Sequence, residues 1–157
     1  MSGLIDMLRW EMLLVPVPGA LGYTMAAICD MPSSDGIPFR PPAWVFAVVW
    51  PILYLLFGIA WFRTAVGFGV LSFQSASFAL TTVMLTLWSV VYSCRKKVKN
   101  AVFVLLASVL CASFNVALAA KPEQLMVIPL LVWLVFATLM NAFQTTLPAE
   151  KAAETDA

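Results

Sequence analysis

The chain has 157 residues, of which 62% are hydrophobic and 11% are charged, and its formal net charge is +1. Soluble domains carry about 25% charged residues, so nine basic and eight acidic side chains are too few to solvate a water-soluble protein of this length. The balanced charge also predicts no nucleic-acid partner. The sequence contains no histidine, which removes the commonest general base and metal ligand.

The charged residues divide the chain into five uncharged stretches. Each is long enough for a helix to cross the hydrocarbon core of a bilayer, about 30 Å thick, and none is long enough to cross it twice. The sequence therefore predicts an all-α membrane domain over residues 1–147 and a disordered tail over residues 148–157. The five predicted transmembrane helices lie at about residues 12–29, 42–62, 68–92, 100–120 and 124–145.

The first stretch is interrupted by Pro16, Pro18 and two glycines. A cleaved signal peptide is therefore the alternative interpretation, but Asp6 and Glu11 do not suit the basic start of such a peptide. Membrane helices tolerate proline where their neighbours satisfy the backbone. We therefore expect a retained first helix.

Basic residues in the connections between the predicted helices predict the orientation of the chain in the membrane. The third connection carries the main basic cluster, which consists of Arg95, Lys96, Lys97 and Lys99. Placing this cluster in the cytosol puts six basic residues on that side against three on the other, as the positive-inside rule favours. The N-terminus is then outside and the C-terminus is cytosolic. The sequence leaves a bacterial membrane and the mitochondrial outer membrane open as hosts.

Reactive chemistry is scarce in the predicted helices. No acidic or basic residue lies in the middle of a span, whereas ion-coupled transporters usually keep one there. We predict no catalytic residue and no metal site. Cys29, Cys94 and Cys111 are odd in number and lack metal-binding spacing, so we interpret them as small apolar residues within helices.

Aromatic residues dominate one face of the second predicted helix. Phe46, Trp50, Tyr54, Phe57 and Trp61 follow one another at steps of four, four, three and four, which places them on one stripe. Trp44 lies off this stripe, at the membrane boundary.

Two further helices repeat this pattern. Trp88 and Tyr92 are four residues apart, and Trp133, Ala137 and Asn141 follow at steps of four. Periodicity alone leaves two interpretations open. The first is interfacial belts and bundle packing, and the second is a pocket with indole walls and an amide that orients a flat apolar ligand.

Small residues at four-residue spacing also occur in pairs. Ser75 with Ala79, and Ser108 with Ala112, allow helices to approach closely and weakly favour a dimer. Asn115 shares a face with Ser108, and an amide there suits a hydrogen bond between helices.

These residues carry a family resemblance. The run Pro41-Pro42-Ala43-Trp44-Val45-Phe46, followed by Trp50, Leu53 and Tyr54, is similar to the signature of the translocator protein family. Members are also called tryptophan-rich sensory proteins or peripheral-type benzodiazepine receptors. Further matches follow in order along the chain; they are Leu87-Trp88, Pro129, Trp133, Ala137-Thr138 and Asn141. The resemblance covers roughly residues 12–145.

The resemblance implies a five-helix bundle, usually dimeric, with a pocket that opens toward the first connection. Members bind porphyrins, haem-like tetrapyrroles, sterols and synthetic isoquinoline or benzodiazepine ligands. It implies no required cofactor, and residues 30–40 would act as a lid. The candidate ligand-binding residues are Gly22, Trp44, Phe46, Trp50, Tyr54, Trp88, Trp133, Ala137 and Asn141.

The chain also departs from the family pattern. Thr81 and Leu85 stand where many members have Gln and Asn, and residues 116–120 lack an aromatic residue that many members carry late in the fourth helix. That aromatic is linked to porphyrin photodegradation in some members. We therefore predict a receptor or translocator that binds a tetrapyrrole or a sterol. The alternatives are an assembly subunit without small-molecule transport and, least favoured, a tetrapyrrole-degrading enzyme.

Overall fold

The computed structural model describes residues 10–29 and 36–147, and these residues contain five helices of membrane-spanning length. The predicted all-α fold is thereby confirmed. The predicted disordered tail and residues 30–35 of the predicted lid lie outside the described residues. The first span, Trp10–Ile28, consists of a 3-10 turn at Trp10–Leu14 and α1 (Val17–Ile28). The other helices are α2 (Ala43–Phe68), α3 (Phe73–Ser89), whose span continues to Cys94, α4 (Val98–Leu118) and α5 (Lys121–Gln144).

Local sequence explains where the helices begin. α1 follows Pro16, α2 follows Pro42, and α5 has Pro122 in its first turn. Proline suits these positions because the first N–H groups of a helix have no partner within the helix. α3 begins after Ser72, whose hydroxyl oxygen accepts a hydrogen bond from the N–H of Ser75 at 3.1 Å.

The protein core lies between α2, α3, α4 and α5. Phe57, Phe78 and Leu105 are fully buried there. The outer faces are apolar as well, and Leu110 and Val132 are 66% and 63% exposed. Such apolar surface would cause association in water, whereas lipid tails cover it in a bilayer. The chain is thus built as a multi-pass membrane protein.

A hydrogen-bonded cluster joins α3 to α4. The fully buried Asn115 accepts a hydrogen bond from the hydroxyl of Ser77 and donates one to Thr81 Oγ1 at 2.7 Å. Asn115 therefore links two helices, as its position in the sequence indicated. Ser108 and Ala112 are also fully buried within the single chain, so this small-residue pair serves packing between helices of one molecule.

α3 continues into a π-helical turn at Val90–Cys94. The N–H of Arg95 donates to the carbonyl of Val90, five residues earlier, at 3.0 Å. Such a turn adds one residue to the α-helical register. It holds Tyr92 against α5, where the phenol hydroxyl donates to Gln144 Oε1 at 3.1 Å.

A disulfide connects Cys29, directly after α1, to Cys94 at the end of the π-helical turn. The interpretation of all three cysteines as small apolar residues is wrong for this pair, whereas Cys111 on α4 is a free, half-buried thiol. The two bonded cysteines are 65 positions apart in the sequence. They meet because α1 and α3 run in the same direction and end at the same face of the bundle, with Cα atoms 4.9 Å apart.

Candidate ligand-binding site

Two cavities lie at the end of the bundle where α2 begins and α3 ends. The inner cavity, of about 170 Å³, lies between α2, α3, α5 and residues 36–40. The lateral cavity, of about 240 Å³, lies between α1, α2 and α3. The inner cavity is lined by Ile37, Arg40, Ala43, Phe46, Trp50, Trp88, Tyr92, Ala137, Met140, Asn141 and Gln144. The lateral cavity is lined by Gly22, Tyr23, Ala26, Phe46, Ala47, Trp50, Tyr54, Trp88 and Ser89.

A column of four stacked aromatic rings runs between the two cavities. Trp50 stacks on Tyr54 with ring centroids 5.2 Å apart, and on Trp88 at 5.6 Å. Trp88 in turn stacks on Tyr92 at 5.5 Å. The four-residue spacing within α2 accounts for the first pair, because such residues share a helix face. Trp50 and Trp88 line both cavities, so they form a common wall.

Edge-to-face contacts support this wall from α5. The ring of Trp133 lies 5.6 Å from Phe46 and 6.3 Å from Trp50, at interplanar angles of 68° and 89°. Aromatic pairs favour this geometry because the positive edge of one ring meets the negative face of the other. Trp133 therefore supports the wall from behind and lines neither cavity.

Three buried N–H groups around the cavities lack a hydrogen-bond partner among the described residues. They are the indole N–H groups of Trp88 and Trp133 and the side-chain amide nitrogen of Asn141. Leaving one such group unsatisfied costs about 1–3 kcal/mol. Trp88 and Asn141 line the inner cavity, and their unpartnered groups are donors, so the site is complementary to hydrogen-bond acceptors.

Gly22 brings α1 close to the aromatic column. A Cβ at this position would lie 2.8 Å from the Cε2 and hydroxyl oxygen of Tyr54. Contacts that short essentially do not occur, so any larger residue would displace the tyrosine ring. Gly22 thus sets the width of the lateral cavity on the α1 side.

The structure brings most of the predicted site residues together. Phe46, Trp50 and Trp88 line both cavities. Gly22 and Tyr54 line the lateral cavity alone, and Ala137 and Asn141 line the inner cavity alone. Trp44 is placed differently, because it is 67% exposed and lines neither cavity.

Other lining residues were missed. Met140 and Gln144 follow Ala137 and Asn141 by three positions, so the helical period of α5 could have indicated them. The loop residues Ile37 and Arg40 follow no period.

The described part of the first connection covers the inner cavity. Ile37 is buried in its wall. The guanidinium of Arg40 lies 5.7 Å from the ring centroid of Phe46, a cation–π distance. Phe39 packs edge-on against Phe143 with centroids 5.4 Å apart. Ile37 and Arg40 therefore form the loop side of the inner cavity, while Phe39 anchors the loop on α5.

The part of the chain that the structure describes holds no group of three or more His, Cys, Asp or Glu side chains suited to a metal ion.

Comparison with known proteins places this arrangement in a family. The sequence profile described as the TspO/MBR family matches residues 14–146. The matched range includes all five helices and the residues that line both cavities. No curated protein matches the chain.

Proposed function

The chain belongs to the TspO/MBR family, and we propose that it binds a flat, hydrophobic ligand in the two cavities. Members of this family are membrane receptors or translocators. The ligand class that we favour is a porphyrin- or haem-like tetrapyrrole, ahead of a sterol. We propose a receptor or translocator rather than an enzyme, and no required cofactor.

The unpartnered donors carry this proposal. Trp88 and Asn141, which line the inner cavity, offer two buried N–H groups beside a column of aromatic rings. A tetrapyrrole has a flat π-system that stacks on indole, and its carboxylate side chains accept hydrogen bonds. A sterol offers one hydroxyl group and no aromatic π-system, so it would leave one of these donors unsatisfied.

The cavity volumes indicate how such a ligand would fit. At about 170 and 240 Å³, neither cavity reaches the ~300–1,000 Å³ typical of small-molecule sites. Trp50 belongs to the wall between them and is only half-buried. We propose that its indole rotates on binding, so that the two cavities merge around one ligand.

Trp50→Ala tests the binding site directly. We expect it to weaken protoporphyrin IX binding by about tenfold or more, because it removes the ring shared by both cavities. The measurement is a titration of the full-length protein in nanodiscs that follows porphyrin absorbance. Trp44→Ala is the matched control on the same helix and should leave the dissociation constant unchanged. Equal weakening by both variants would contradict the site.

The wild-type protein separates the alternatives. Binding of a fluorescent sterol without binding of protoporphyrin IX would favour the sterol. Failure of both ligands, together with a co-purifying protein, would favour an assembly subunit. Light-dependent loss of bound porphyrin would favour the degrading enzyme.

We also propose that the N-terminus faces outside and the C-terminus faces the cytosol, on the basis of the six-to-three distribution of basic residues. Lys97→Cys and Lys121→Cys, each in a variant without other cysteines, test this in intact cells. A membrane-impermeant maleimide should label position 121 and leave position 97 unlabelled, and the opposite pattern would reverse the orientation.

A homodimer, as the resemblance implies, is part of the proposal. Its contacts would use lipid-facing surfaces, because Ser108 and Ala112 are buried within one chain.

A further inference from the structure

The Cys29–Cys94 disulfide joins the ends of α1 and α3, the two helices that supply opposite walls of the lateral cavity. Cys29 is the residue directly after α1 and follows Ala26 of the cavity wall by three positions. Cys94 follows Ser89, another lining residue, through the π-helical turn. The disulfide therefore links two walls of the lateral cavity, one on α1 and one on α3.

α1 is the helix held least firmly by packing. Only 6% of its membrane-spanning window is buried, compared with 28–44% for the other four. Regions with few buried apolar contacts open at a low free-energy cost. The covalent bond to Cys94 is therefore a major constraint on α1 at the cavity end of the bundle.

The side of the membrane on which the disulfide lies determines whether it is a permanent crosslink or a redox-sensitive one. The proposed orientation places the ends of α1 and α3 in the cytosol. Thiols are kept reduced there, and the disulfides that do form in mesophiles are usually transient and often redox-sensing. With this orientation the Cys29–Cys94 pair is expected to open and close with the redox state of the cytosol.

We propose that the Cys29–Cys94 disulfide is a redox-controlled latch on the lateral cavity. In the bonded form it holds α1 against the end of α3 and narrows the passage from the bilayer to the cavity. In the reduced form α1 opens transiently, and the ligand passes from the bilayer between α1 and α3 to the aromatic column. This inference rests on the proposed ligand-binding function.

Thiol–disulfide exchange with a small cytosolic disulfide of the glutathione type would close the latch. The exposed Cys94 attacks the small disulfide as a thiolate, its S–S bond breaks and one thiol leaves. Cys29 then attacks Cys94 Sγ in the mixed disulfide and displaces the second thiol. The two cysteines lose two electrons and two protons, which convert the small disulfide into two thiols. A dithiol reverses the process and is itself oxidised to a disulfide.

Stopped-flow kinetics of protoporphyrin IX binding test the latch in the full chain in nanodiscs. On reduction with dithiothreitol we expect the association and dissociation rate constants to rise together, by about tenfold, with little change in Kd. A latch changes the route to the site and leaves the bound state alone. Equal rates in both forms, or a change in Kd through the dissociation rate alone, would overturn the proposal.

Matched cysteine variants locate the effect. Cys29→Ser and Cys94→Ser should show the fast rates with and without dithiothreitol. Cys111→Ser leaves the disulfide intact and should respond to reduction as the wild type does. If the rate constants of Cys29→Ser or Cys94→Ser rise with dithiothreitol as those of the wild type do, the assignment to this pair is overturned.

Two measurements without a ligand separate the latch from the proposed function. Hydrogen–deuterium exchange of Val17–Ile28 should become faster on reduction. If it does while protoporphyrin IX binds neither form, the ligand proposal fails and the latch stands; if it does not, the latch fails. Thiol alkylation in cells should find the pair reduced before treatment with diamide and bonded after it. A pair fully bonded in untreated cells would be a permanent crosslink and would overturn the switch.

Discussion

The aromatic stripe of α2 passes through two regions of the bundle. They differ in whether the buried indole N–H groups have hydrogen-bond partners. In the closed half, around residues 57–65, the indole N–H of Trp61 donates to Ser75 Oγ at 2.8 Å. In the cavity half, around residues 43–54, the neighbouring indoles of Trp88 and Trp133 have buried N–H groups that no residue in the described ranges accepts.

This difference separates stability from recognition. In the closed half, packing is tight and the buried indole is satisfied, so the aromatic residues hold the helices together. In the cavity half the rings stack beside empty space, and each unsatisfied donor costs about 1–3 kcal/mol. A ligand that supplies an acceptor recovers this cost. Unsatisfied donors that line a cavity, as those of Trp88 and Asn141 do, therefore distinguish the site from the closed half.

Gly58→Ala should disrupt packing in the closed half and cause the largest loss of stability among these variants. A Cβ at Gly58 would lie 2.1 Å from the carbonyl oxygen of Val15, a backbone atom, so the chain entering α1 must shift away from α2. We expect a loss of about 3 kcal/mol in the free energy of unfolding. The measurement is thermal unfolding in a fixed detergent.

Gly67→Ala is the matched control for this prediction. Gly67 lies on the same helix and has no atom within 4 Å of an added Cβ. Alanine there should be neutral or stabilising by up to about 1 kcal/mol, through helix propensity. Equal melting temperatures for the two variants would show that the close approach at Gly58 is not needed.

Replacing one tryptophan in each half sharpens the comparison. Trp61→Phe removes a satisfied buried donor and should destabilise the protein by about 2 kcal/mol. Trp88→Phe removes an unpartnered donor, so it should cost less than about 1 kcal/mol of stability. It should instead weaken protoporphyrin IX binding by roughly five- to tenfold. The test is to measure the free energy of unfolding and the dissociation constant for protoporphyrin IX on both variants. Equal effects of the two substitutions on both quantities would contradict the difference between the two halves.

The smallest effect is expected at the ion pair of the closed half. Arg63 donates to Glu123, and their side chains are 49% and 8% exposed. Glu123→Gln should cost less than about 1 kcal/mol, because the exposed arginine becomes hydrated. Arg63→Gln should cost more, since it leaves the buried carboxylate without its partner. Denaturation curves of both variants check the order, and a reversed order would contradict this burial pattern.

The sequence was sufficient for the helices because charge and hydropathy act along the chain. Arg63 and Lys121, for example, bound uncharged stretches that the bilayer requires. The stripe on α2 was also predictable, since periodicity assigns residues to a face. It does not assign depth or partners, so periodicity alone did not separate Trp50 from Trp61. The family resemblance singled out Trp50, and the structure places Trp88 beside Trp50 and Ser75 beside Trp61.

The remaining features depend on contacts between distant segments. Ile37 reaches the inner cavity from a loop, where no period applies. The pairing of Cys29 with Cys94 depends on the relative placement of α1 and α3 and on the irregular turn that ends α3. Neither follows from local composition or spacing.

The π-helical turn at Val90–Cys94 has a consequence for how this protein tolerates insertions and deletions. The turn holds one residue more than the α-helical turn that would replace it, so deleting one residue between Ser89 and Arg95 would restore a regular α-helix and leave the rest of the chain in place. Only the side chains within the turn, those of Tyr92 and Cys94 among them, would change direction. The aromatic column and the crosslink thus both depend on one irregular turn, and loss of its additional residue should disturb both features while α4 and α5 stay where they are.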